Sequence, residues 1–434
     1  MTYLPRVIDQ DLDELFGSLP AILIEGPKGV GKTATAVRRA KTQIRLDDPA
    51  QRGIIRADPA LLLIRERPLL IDEWQLLPAV WDVVRRAVDE NNTPGQFLLT
   101  GSANPANPAT HSGAGRIVGV RMRPLALAER GVTNPTVSLR ELLAGGRPPV
   151  TGTSAFGLRD YTREILASGF PGFRHLSGRA LRTQLEGYVA RIVDRDIPEA
   201  GYTVRRAHTV RRWLTAYAAA TSTTASFEAI RDAATSDQTD KPARKTTIQY
   251  REILERLWIV DSIPAWTPSR NTIRSLTHAP KHQLADPALA AHLLGLTASA
   301  LLDGAPSPVE GADSVRARGG APRDGTWLGR LFEALVTLDI RVYAQAADDA
   351  TVRHFRTDSG AHEADLIVVR HDRRVLAIEV KLGNTITDKD VEHLQWLERE
   401  IGDEMLDAIV INTGEHAYRR QDGIAVIPAA LLGP

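Results

Sequence analysis

The feature that most constrains this chain is a glycine-rich loop between a short apolar segment and a segment of helix formers. Its eight residues follow the pattern GxxxxGK[ST]: Gly26, Pro27, Lys28, Gly29, Val30, Gly31, Lys32 and Thr33. The apolar run 21–25 before it predicts a buried parallel strand, and the residues from Ala34 onward predict a helix. In this context backbone N–H groups and the helix N-terminus bind phosphate groups, so residues 26–34 predict a site for ATP or GTP.

Magnesium chemistry is predicted from two loop residues and from the end of a second apolar strand. Lys32 is expected to reach the β- and γ-phosphates, and the Thr33 hydroxyl to ligate Mg²⁺. The strand 68–71 ends in Asp72, a second expected Mg²⁺ ligand, and Glu73, which is expected to orient or deprotonate the attacking water. An acid pair that only caps the next helix is the alternative, but a metal beside the loop needs such a carboxylate.

A third apolar strand, 96–100, ends in polar residues that are candidates for contact with the γ-phosphate or the attacking water. Ligands of a parallel sheet lie at the carboxyl ends of its strands, which favours Thr100, Ser102 and Asn104. An ordinary polar loop after a buried strand explains any one of them equally well. Three arginines further along are candidates for a finger that reaches the nucleotide of a neighbouring copy, with solvated surface side chains as the alternative: Arg116, Arg121 and Arg123.

The N-terminal part of the chain resembles the AAA+-type ATPases that carry a C-terminal DUF4143 region. Four segments occur in the family's order, with matching spacing from about residue 15 to residue 130: the loop 26–33, the Asp-Glu-x-Gln of 70–75, the Leu-Thr-Gly-Ser of 99–102 and the segment 122–129. The resemblance implies ATP rather than GTP, and this domain contains no guanine-reading Asn-Lys-x-Asp motif. It also implies a homo-oligomeric ring, in which the next subunit supplies an arginine finger.

A turn-rich break predicts that an ATPase domain, 1–145, is followed by a helical region, 155–275, with a winged-helix layout. Phe227–Ala233 and Thr246–Leu257 predict the two helices of a helix-turn-helix. The apolar run 258–264 after them predicts a strand of the wing. This layout is typical of DNA-binding domains and also serves protein contacts.

The second of these helices is interpreted as a DNA-recognition helix. Its apolar residues are expected to face the core: Ile248, Ile253, Leu254 and Leu257. Its polar and basic residues are expected to face outward, towards DNA: Lys245, Gln249, Arg251 and Arg256. A protein partner stays an open alternative, because the net charge of +1 does not indicate a polyanionic partner and a local charge run is usually a solvated face. The segment 188–197 resembles the family's helix that ends in Arg-Asp-Ile, for which pairing across a domain interface is expected.

The C-terminal region, 276–434, predicts a nuclease-like site. Two apolar segments predict neighbouring strands, and alternation along the second, 375–381, places Glu379 and Lys381 on one face. With Asp365 on the first strand, the two carboxylates would ligate Mg²⁺ and the lysine would stabilise charge on a phosphodiester during cleavage.

The pattern Asp…Glu-x-Lys, with Glu333 on a preceding helix, resembles the PD-(D/E)xK nuclease superfamily and implies a restriction-endonuclease-like fold. The family's Pro-Asp is absent, because Ala364 precedes Asp365. A salt-bridged Glu–Lys pair on a strand is one alternative to a cleaving site. A nucleic-acid clamp that does not cleave is another.

Composition excludes several classes of site. The chain has no cysteine, so it contains no disulfide, no thiolate metal site and no thiol nucleophile. No apolar run approaches the roughly 20 residues of a membrane helix, and the N-terminus lacks a signal-peptide core, so a cytoplasmic protein without a membrane partner is expected. The stretch 303–326, rich in Gly, Ala, Pro and Arg, predicts a flexible loop.

The predicted fold class is therefore α/β. It comprises an N-terminal P-loop domain with a parallel sheet, a helical and winged-helix-like middle, and a restriction-endonuclease-like C-terminal domain. ATP and Mg²⁺ are the expected cofactors. DNA is the expected partner, and a protein partner or a second copy of the chain is the alternative.

Overall fold

Three regions follow one another along the chain: a parallel sheet, a group of helices and a mixed sheet. The structure is a computed structural model of the 434-residue chain, and it describes residues 3–102, 114–202, 204, 206–235, 244–268, 278–303, 326–347, 350–357 and 359–434. Asn104 and almost all of the loop expected at 303–326 lie outside the described residues.

Five parallel strands form the N-terminal sheet, in the order β2-β3-β4-β1-β5. They are β1 Ala21–Glu25, β2 Thr42–Arg45, β3 Leu69–Asp72, β4 Phe97–Gly101 and β5 Val118–Arg121. Both faces are apolar, since Ile22 and Ile24 pack in one buried cluster and Leu23 packs in another. The predicted parallel sheet is confirmed, and the carboxyl ends of β1, β3 and β4 meet at one edge.

Helices accompany this sheet, and their sequences explain their packing. Val80, Val84 and Val88 recur at four-residue spacing in one of them and are all buried, so that helix presents one apolar face. The helices of this region are Ile8–Phe16, Lys32–Val37, Pro49–Ala57, Ala79–Glu90 and Leu139–Ala144.

The middle region consists of helices, which are Leu158–Leu166, Gly178–Arg191, Ile197–Glu199, Ala207–Ala219, Phe227–Ala233, Arg244–Arg256, Pro287–Leu293 and Ala298–Asp303. A π-helical turn, Ile192–Asp196, follows the second of them. Pro287–Leu293 packs against both Leu158–Leu166 and Ala207–Ala219. The packing therefore joins the helices that follow residue 276 to the middle region, although the sequence assigns them to the C-terminal domain.

The predicted helix-turn-helix differs from the structure in which side chains face the core. Ile248, expected inside, is 37% exposed, and Thr247 and Tyr250 are buried in its place beside Ile253, Leu254 and Leu257. These buried residues recur at spacings of three and four, so they line one helix face that excludes Ile248.

Two other features of this segment also differ from expectation. Arg251, expected to face outward, pairs with Glu255 and stacks over the Phe227 ring. In place of the predicted wing strand there are two isolated antiparallel bridges, Val260 with Leu284 and Ile263 with Lys281. The winged-helix assignment stays a prediction.

The C-terminal sheet has eight strands in the order β7-β13-β14-β12-β11-β10-β9-β8. They are β7 Gly152–Thr153, β8 Ala265–Trp266, β9 Thr351–Arg356, β10 Glu363–Val369, β11 Val375–Val380, β12 Met405–Asn412, β13 His416–Arg419 and β14 Ala425–Pro428. Thr326–Gln345 packs on β9 and β10, and Asp388–Ile401 connects β11 to the parallel β12. A separate two-stranded pairing joins β6 Val137–Ser138 to β15 Leu432–Gly433.

One buried carboxylate connects all three regions. Asp261, in the middle region, contacts Arg121 at 2.9 Å, Arg123 at 3.2 Å and Arg341 at 2.7 Å. We call these four residues the Asp261 cluster. Burial alone raises the pKa of Asp261, but the three guanidinium groups outweigh it and hold that pKa well below its usual range.

Replacement of Asp261 by asparagine is expected to destabilise the protein by about 3–5 kcal/mol, because it leaves buried arginines without a counter-charge. Urea unfolding followed by circular dichroism measures this change. Asp89→Asn is the matched control, since Asp89 pairs with Arg116 at the surface and should change the midpoint little. Equal midpoints for the two variants would contradict a stabilising role for the Asp261 cluster.

Candidate nucleotide site and a C-terminal carboxylate cluster

The glycine loop lies at the carboxyl end of β1, and two of its glycines are required by geometry. A Cβ on Gly26 would lie 2.1 Å from the Met122 carbonyl oxygen, so the loop approaches the chain after β5 too closely for any side chain. Gly31 has φ +106° and caps the helix Lys32–Val37. Glycine adopts this left-handed conformation without steric cost, which turns the loop into the first helical turn.

Lys32 is buried within its own loop. Its Nζ donates to the carbonyl oxygens of Gly26 at 2.8 Å and Pro27 at 2.9 Å. Burial lowers the pKa of Lys32 to about 8, and the nearby carboxylates of Glu73 and Asp72 only partly offset this effect. A phosphate group would provide the anionic partner that this ammonium lacks.

Thr33 and Asp72 come together as the sequence predicts. The Thr33 hydroxyl donates to Asp72 Oδ1 at 2.8 Å, and the buried Thr100 hydroxyl makes a short hydrogen bond to the same oxygen. A hydroxyl next to a carboxylate is a donor set that suits Mg²⁺, which takes one or two protein carboxylates and completes its shell with phosphates and water. Thr100 therefore orients Asp72 in this structure.

Glu73 follows directly at the end of β3. It has φ +55°, an unusual left-handed conformation for a non-glycine residue, and its backbone N–H donates to the Thr100 hydroxyl at 3.4 Å. Its Oε2 accepts from the Ser102 hydroxyl at 3.3 Å and makes a short hydrogen bond with the Gln75 amide. Thr100 and Ser102, at the end of β4, thus orient both acids at the end of β3.

The middle region contacts the phosphate-binding loop at Lys28. Lys28 Nζ lies 2.6 Å from Asp196 Oδ1 and 3.1 Å from Glu199 Oε2, and the Tyr188 hydroxyl donates to the Lys28 carbonyl oxygen at 2.9 Å. Asp196 is buried and lies in the π-helical turn. The segment 188–197, for which the sequence gives only interface pairing, therefore contacts the phosphate-binding loop itself.

An open cavity of about 1170 Å³ lies beside this contact and is lined by residues of the loop and of the helices. Its lining includes the loop residues Lys28 and Gly29, the acid Glu73, and two exposed arginines of the middle region, Arg191 and Arg195. The volume exceeds the usual range for small-molecule sites, roughly 300–1,000 Å³. The sequence did not single out these two arginines, because their proximity to the loop depends on how the regions pack.

The three candidate finger arginines occupy different places. Arg121 and Arg123 belong to the Asp261 cluster, and Arg121 also stacks over the Trp258 ring. Arg116 lies at the surface and pairs with Asp89. In this arrangement Arg121 and Arg123 serve contacts within the chain, which leaves Arg116 as the candidate for a neighbouring copy.

The C-terminal region brings together Glu333 of the helix Thr326–Gln345, Asp365 of β10 and Glu379 of β11; we call these three acids the carboxylate cluster. Glu379 Oε1 lies 2.8 Å from Lys381 Nζ, as strand alternation predicts. Asp365 Oδ2 accepts from the Val380 backbone N–H at 2.9 Å. The residues that the sequence groups are therefore neighbours.

A residue outside the predicted set lies at the centre of this cluster. Lys281 Nζ contacts Glu333 Oε1 at 2.7 Å and Asp365 Oδ1 at 3.0 Å. Burial alone lowers the pKa of Lys281, but the carboxylates of Glu333 and Asp365 outweigh it and raise that pKa above its ordinary value. Burial raises the pKa of Glu333 to about 8, and burial and Asp365 also raise the pKa of Glu379.

The carboxylate cluster does not match the donor set of a divalent metal ion. A lysine ammonium contacts an oxygen of each of its three acids. In the part of the chain that the structure describes, no three His, Cys, Asp or Glu side chains are arranged to hold a metal ion. The metal ligands predicted at Asp365 and Glu379 therefore lie in the predicted place but are paired with lysines.

The fold and the first site define a P-loop nucleotide site on a parallel sheet, and comparisons with known proteins agree. Residues 18–130 match an AAA domain family, residues 158–300 match a domain of unknown function, DUF8612, and residues 328–432 match another, DUF4143. These matches support a P-loop ATPase of the AAA class that carries a C-terminal DUF4143 region. The nuclease-like assignment stays a prediction.

Individual relatives add little about function. Uncharacterized proteins of Mycobacterium tuberculosis and Mycobacterium bovis are each 24% identical over 423 residues, which is 94% of this chain and 80% of theirs. The solved structure of the Aeropyrum pernix ORC2 protein, in ADPNP and ADP complexes, is 13% identical and aligns with 66% of this chain and 89% of its own. Its TM-score of 0.28 is too low to carry an inference. Among the described helices, none has the length and apolar character needed to cross a bilayer.

The buried Lys32 predicts a pH dependence of nucleotide binding. Its pKa of about 8 in the free protein means that the ammonium deprotonates as pH rises through 8, whereas the phosphate charge no longer changes there. The affinity for ADP without metal is therefore expected to fall above pH 8, by up to about tenfold per pH unit. Isothermal titration calorimetry from pH 7 to 9.5 measures this, and an affinity that stays constant would contradict the assignment of Lys32.

Proposed function

We propose that this chain is an Mg²⁺-dependent ATPase whose middle region senses the nucleotide and whose middle and C-terminal regions engage DNA. The observation that carries the proposal is the contact between the phosphate-binding loop and the middle region, in which Lys28 pairs with the buried Asp196. A phosphate group and Asp196 would compete for the same ammonium. Nucleotide binding and hydrolysis would therefore change how strongly the middle region holds the loop.

Each step of hydrolysis has a residue suited to it. Lys32 and the loop N–H groups would hold the phosphates, and Thr33 and Asp72 would hold Mg²⁺, which supplies charge neutralisation at the β- and γ-phosphates. Glu73 would orient the attacking water and accept its proton, with Ser102 fixing the carboxylate. Arg191 and Arg195, which pair with Asp196 and Glu199, line the same cavity and would contribute positive charge near the phosphates.

DNA contact is supported by the two helices Phe227–Ala233 and Arg244–Arg256, which pack together, and by the exposed Lys245 in the second of them. Arg251 pairs within the helix, so the basic face is smaller than the sequence indicates. A nucleotide switch that binds a protein partner is the alternative, and a homo-oligomer with Arg116 as its finger is compatible with either.

Lys32→Ala is expected to abolish ATP binding and turnover, because it removes the cation that holds the phosphates. Glu73→Gln is expected to keep nucleotide binding and to lower turnover by at least about 100-fold, the typical contribution of a general base. A phosphate-release assay combined with ADP titration separates the two effects. Lys41→Ala is the control, since Lys41 pairs with Glu66 at the surface. Wild-type turnover in Lys32→Ala or Glu73→Gln would exclude the site.

Asp196→Asn tests the contact between the loop and the middle region. It leaves Lys28 paired with the exposed Glu199 and removes a negative charge next to the phosphate site, so ATP should bind more tightly, by about 1 kcal/mol or roughly fivefold in Kd. Glu199→Gln is the matched control, because Glu199 contacts the same lysine but is exposed, and its effect should be smaller. Unchanged or weaker binding in Asp196→Asn would contradict competition for Lys28.

The DNA partner is tested by the ATPase rate with and without single- and double-stranded DNA, together with binding at several salt concentrations. Phosphate contacts predict an affinity that falls steeply with salt. Indifference to both DNAs at low salt would leave the protein-binding switch as the better proposal.

A metal-dependent nuclease is a second candidate function, favoured by the convergence of Glu333, Asp365, Glu379 and Lys381. It requires that Mg²⁺ or Mn²⁺ displaces the Lys281 ammonium and supports cutting that Asp365→Ala and Lys381→Ala both abolish. Equal nicking by the wild type and both variants would identify a contaminant.

A further inference from the structure

We infer that Lys281 is a built-in cation that takes the place of a divalent ion between Glu333 and Asp365, and that the carboxylate cluster becomes a divalent-cation site only when this ammonium is removed. The site lies between the middle and C-terminal regions. It does not depend on ATP hydrolysis at the first site.

The first observation is the coordination of the ammonium. Lys281 Nζ lies 2.7 Å from Glu333 Oε1, 3.0 Å from Asp365 Oδ1 and 3.1 Å from the Asp365 carbonyl oxygen. Three oxygens match the three N–H donors of an ammonium. Carboxylate and carbonyl oxygens are also the ligands that Mg²⁺ and Mn²⁺ prefer, so the lysine occupies a position with the chemistry of a hard-metal site.

The second observation is how firmly the backbone holds this lysine. Lys281 N donates to the Ile263 carbonyl oxygen at 2.9 Å, and Ile263 N donates to the Lys281 carbonyl oxygen at 2.8 Å. The Lys281 side chain is 10% exposed, and those of Glu333 and Asp365 are 14% and 16% exposed. The ammonium is thus a fixed part of the cluster, supplied by the middle region to two acids of the C-terminal region.

The third observation is an unsatisfied oxygen on the remaining acid. Glu379 is 4% exposed, its Oε1 pairs with Lys381, and its Oε2 is buried without a hydrogen-bond partner. A buried acceptor left unpaired costs about 1–3 kcal/mol. The cluster therefore contains one buried carboxylate oxygen for which the described residues supply no donor.

The cluster is accessible to ions. Lys281, Glu333 and Asp365 line a cavity of about 650 Å³, which also receives Arg330 and Arg356. That volume exceeds what a hydrated ion needs. The ammonium of Lys281, rather than a lack of access, therefore excludes a metal ion.

Removal of the ammonium tests the inference directly. Lys281→Met keeps the aliphatic stem and removes the charge, and we expect it to bind one Mn²⁺ per chain at least about tenfold more tightly than the wild type. Both proteins carry Asp72→Asn and are free of nucleotide, so that the N-terminal site does not contribute. The readout is the electron paramagnetic resonance signal of free Mn²⁺ during titration, with circular dichroism to verify folding.

Two further variants make the test specific. Adding Asp365→Asn to Lys281→Met should abolish the new Mn²⁺ binding, whereas Lys381→Met alone should not create it, because Lys281 stays in place. Lys281→Gln replaces the methionine variant if the latter does not fold, since its amide still donates to the acids and carries no charge. Mn²⁺ binding by the Lys281-containing protein that Asp365→Asn removes would overturn the inference. Folded Lys281→Met or Lys281→Gln protein without added Mn²⁺ affinity would overturn it as well.

Discussion

The arrangement of this chain depends on the Asp261 cluster, because it fixes the phosphate-binding loop as well as the three regions. Arg121 and Arg123 flank Met122, whose carbonyl oxygen lies so close to Gly26 that no side chain fits between them. A shift of Asp261 relative to the sheet would therefore move the strand end on which the loop rests. The cavity beside these arginines measures about 10 Å³, which is room for one ordered water at most. Ion pairs this deeply buried are costly to break from one side, which makes the cluster a rigid joint.

Besides the buried Arg130–Glu164 pair, the middle region makes two ionic contacts with its neighbours whose surroundings differ from those of the Asp261 cluster. Asp196 reaches Lys28 beside a cavity of about 1170 Å³, and Lys281 reaches Glu333 and Asp365 beside one of about 650 Å³. Where solvent and ligands have access, an ion of the right charge can replace a protein partner. The same region thus combines one fixed joint with two exchangeable contacts, one sensitive to anions and one to cations.

Sequence alone predicts those parts of the sites that follow from local patterns. Strand, glycine loop and helix fix Lys32 and Thr33, the acids at the end of β3 follow from its apolar run, and alternation places Glu379 next to Lys381. The roles of Lys281 and Asp196 could not be predicted from the sequence. Lys281 is 84 positions from Asp365 and Asp196 is 168 positions from Lys28, and no local sequence pattern connects residues so far apart. Ile248 is assigned to the wrong face for a related reason: an apolar residue is expected inside, yet packing selects the stripe of Thr247 and Tyr250.

The pairing of the short chain segments that carry Asp261 and Lys281 explains how the Asp196–Lys28 contact could influence the contact of Lys281 with Glu333 and Asp365. Asp261 N donates to the Gln283 carbonyl oxygen, and Ile263 pairs with Lys281, so the fixed joint and the lysine that fills the carboxylate cluster lie on one paired segment. A displacement of the middle region at Asp196 would therefore reach Lys281 only as far as the Asp261 cluster yields. A ligand shifts the equilibrium between two positions of the middle region only by the difference between its binding free energies for those positions. Competition between a phosphate group and Asp196 for Lys28 changes the free energy by about 1 kcal/mol, whereas breaking the buried Lys281 ion pairs costs several kcal/mol. Nucleotide alone is therefore expected to loosen the Lys281 contact without breaking it.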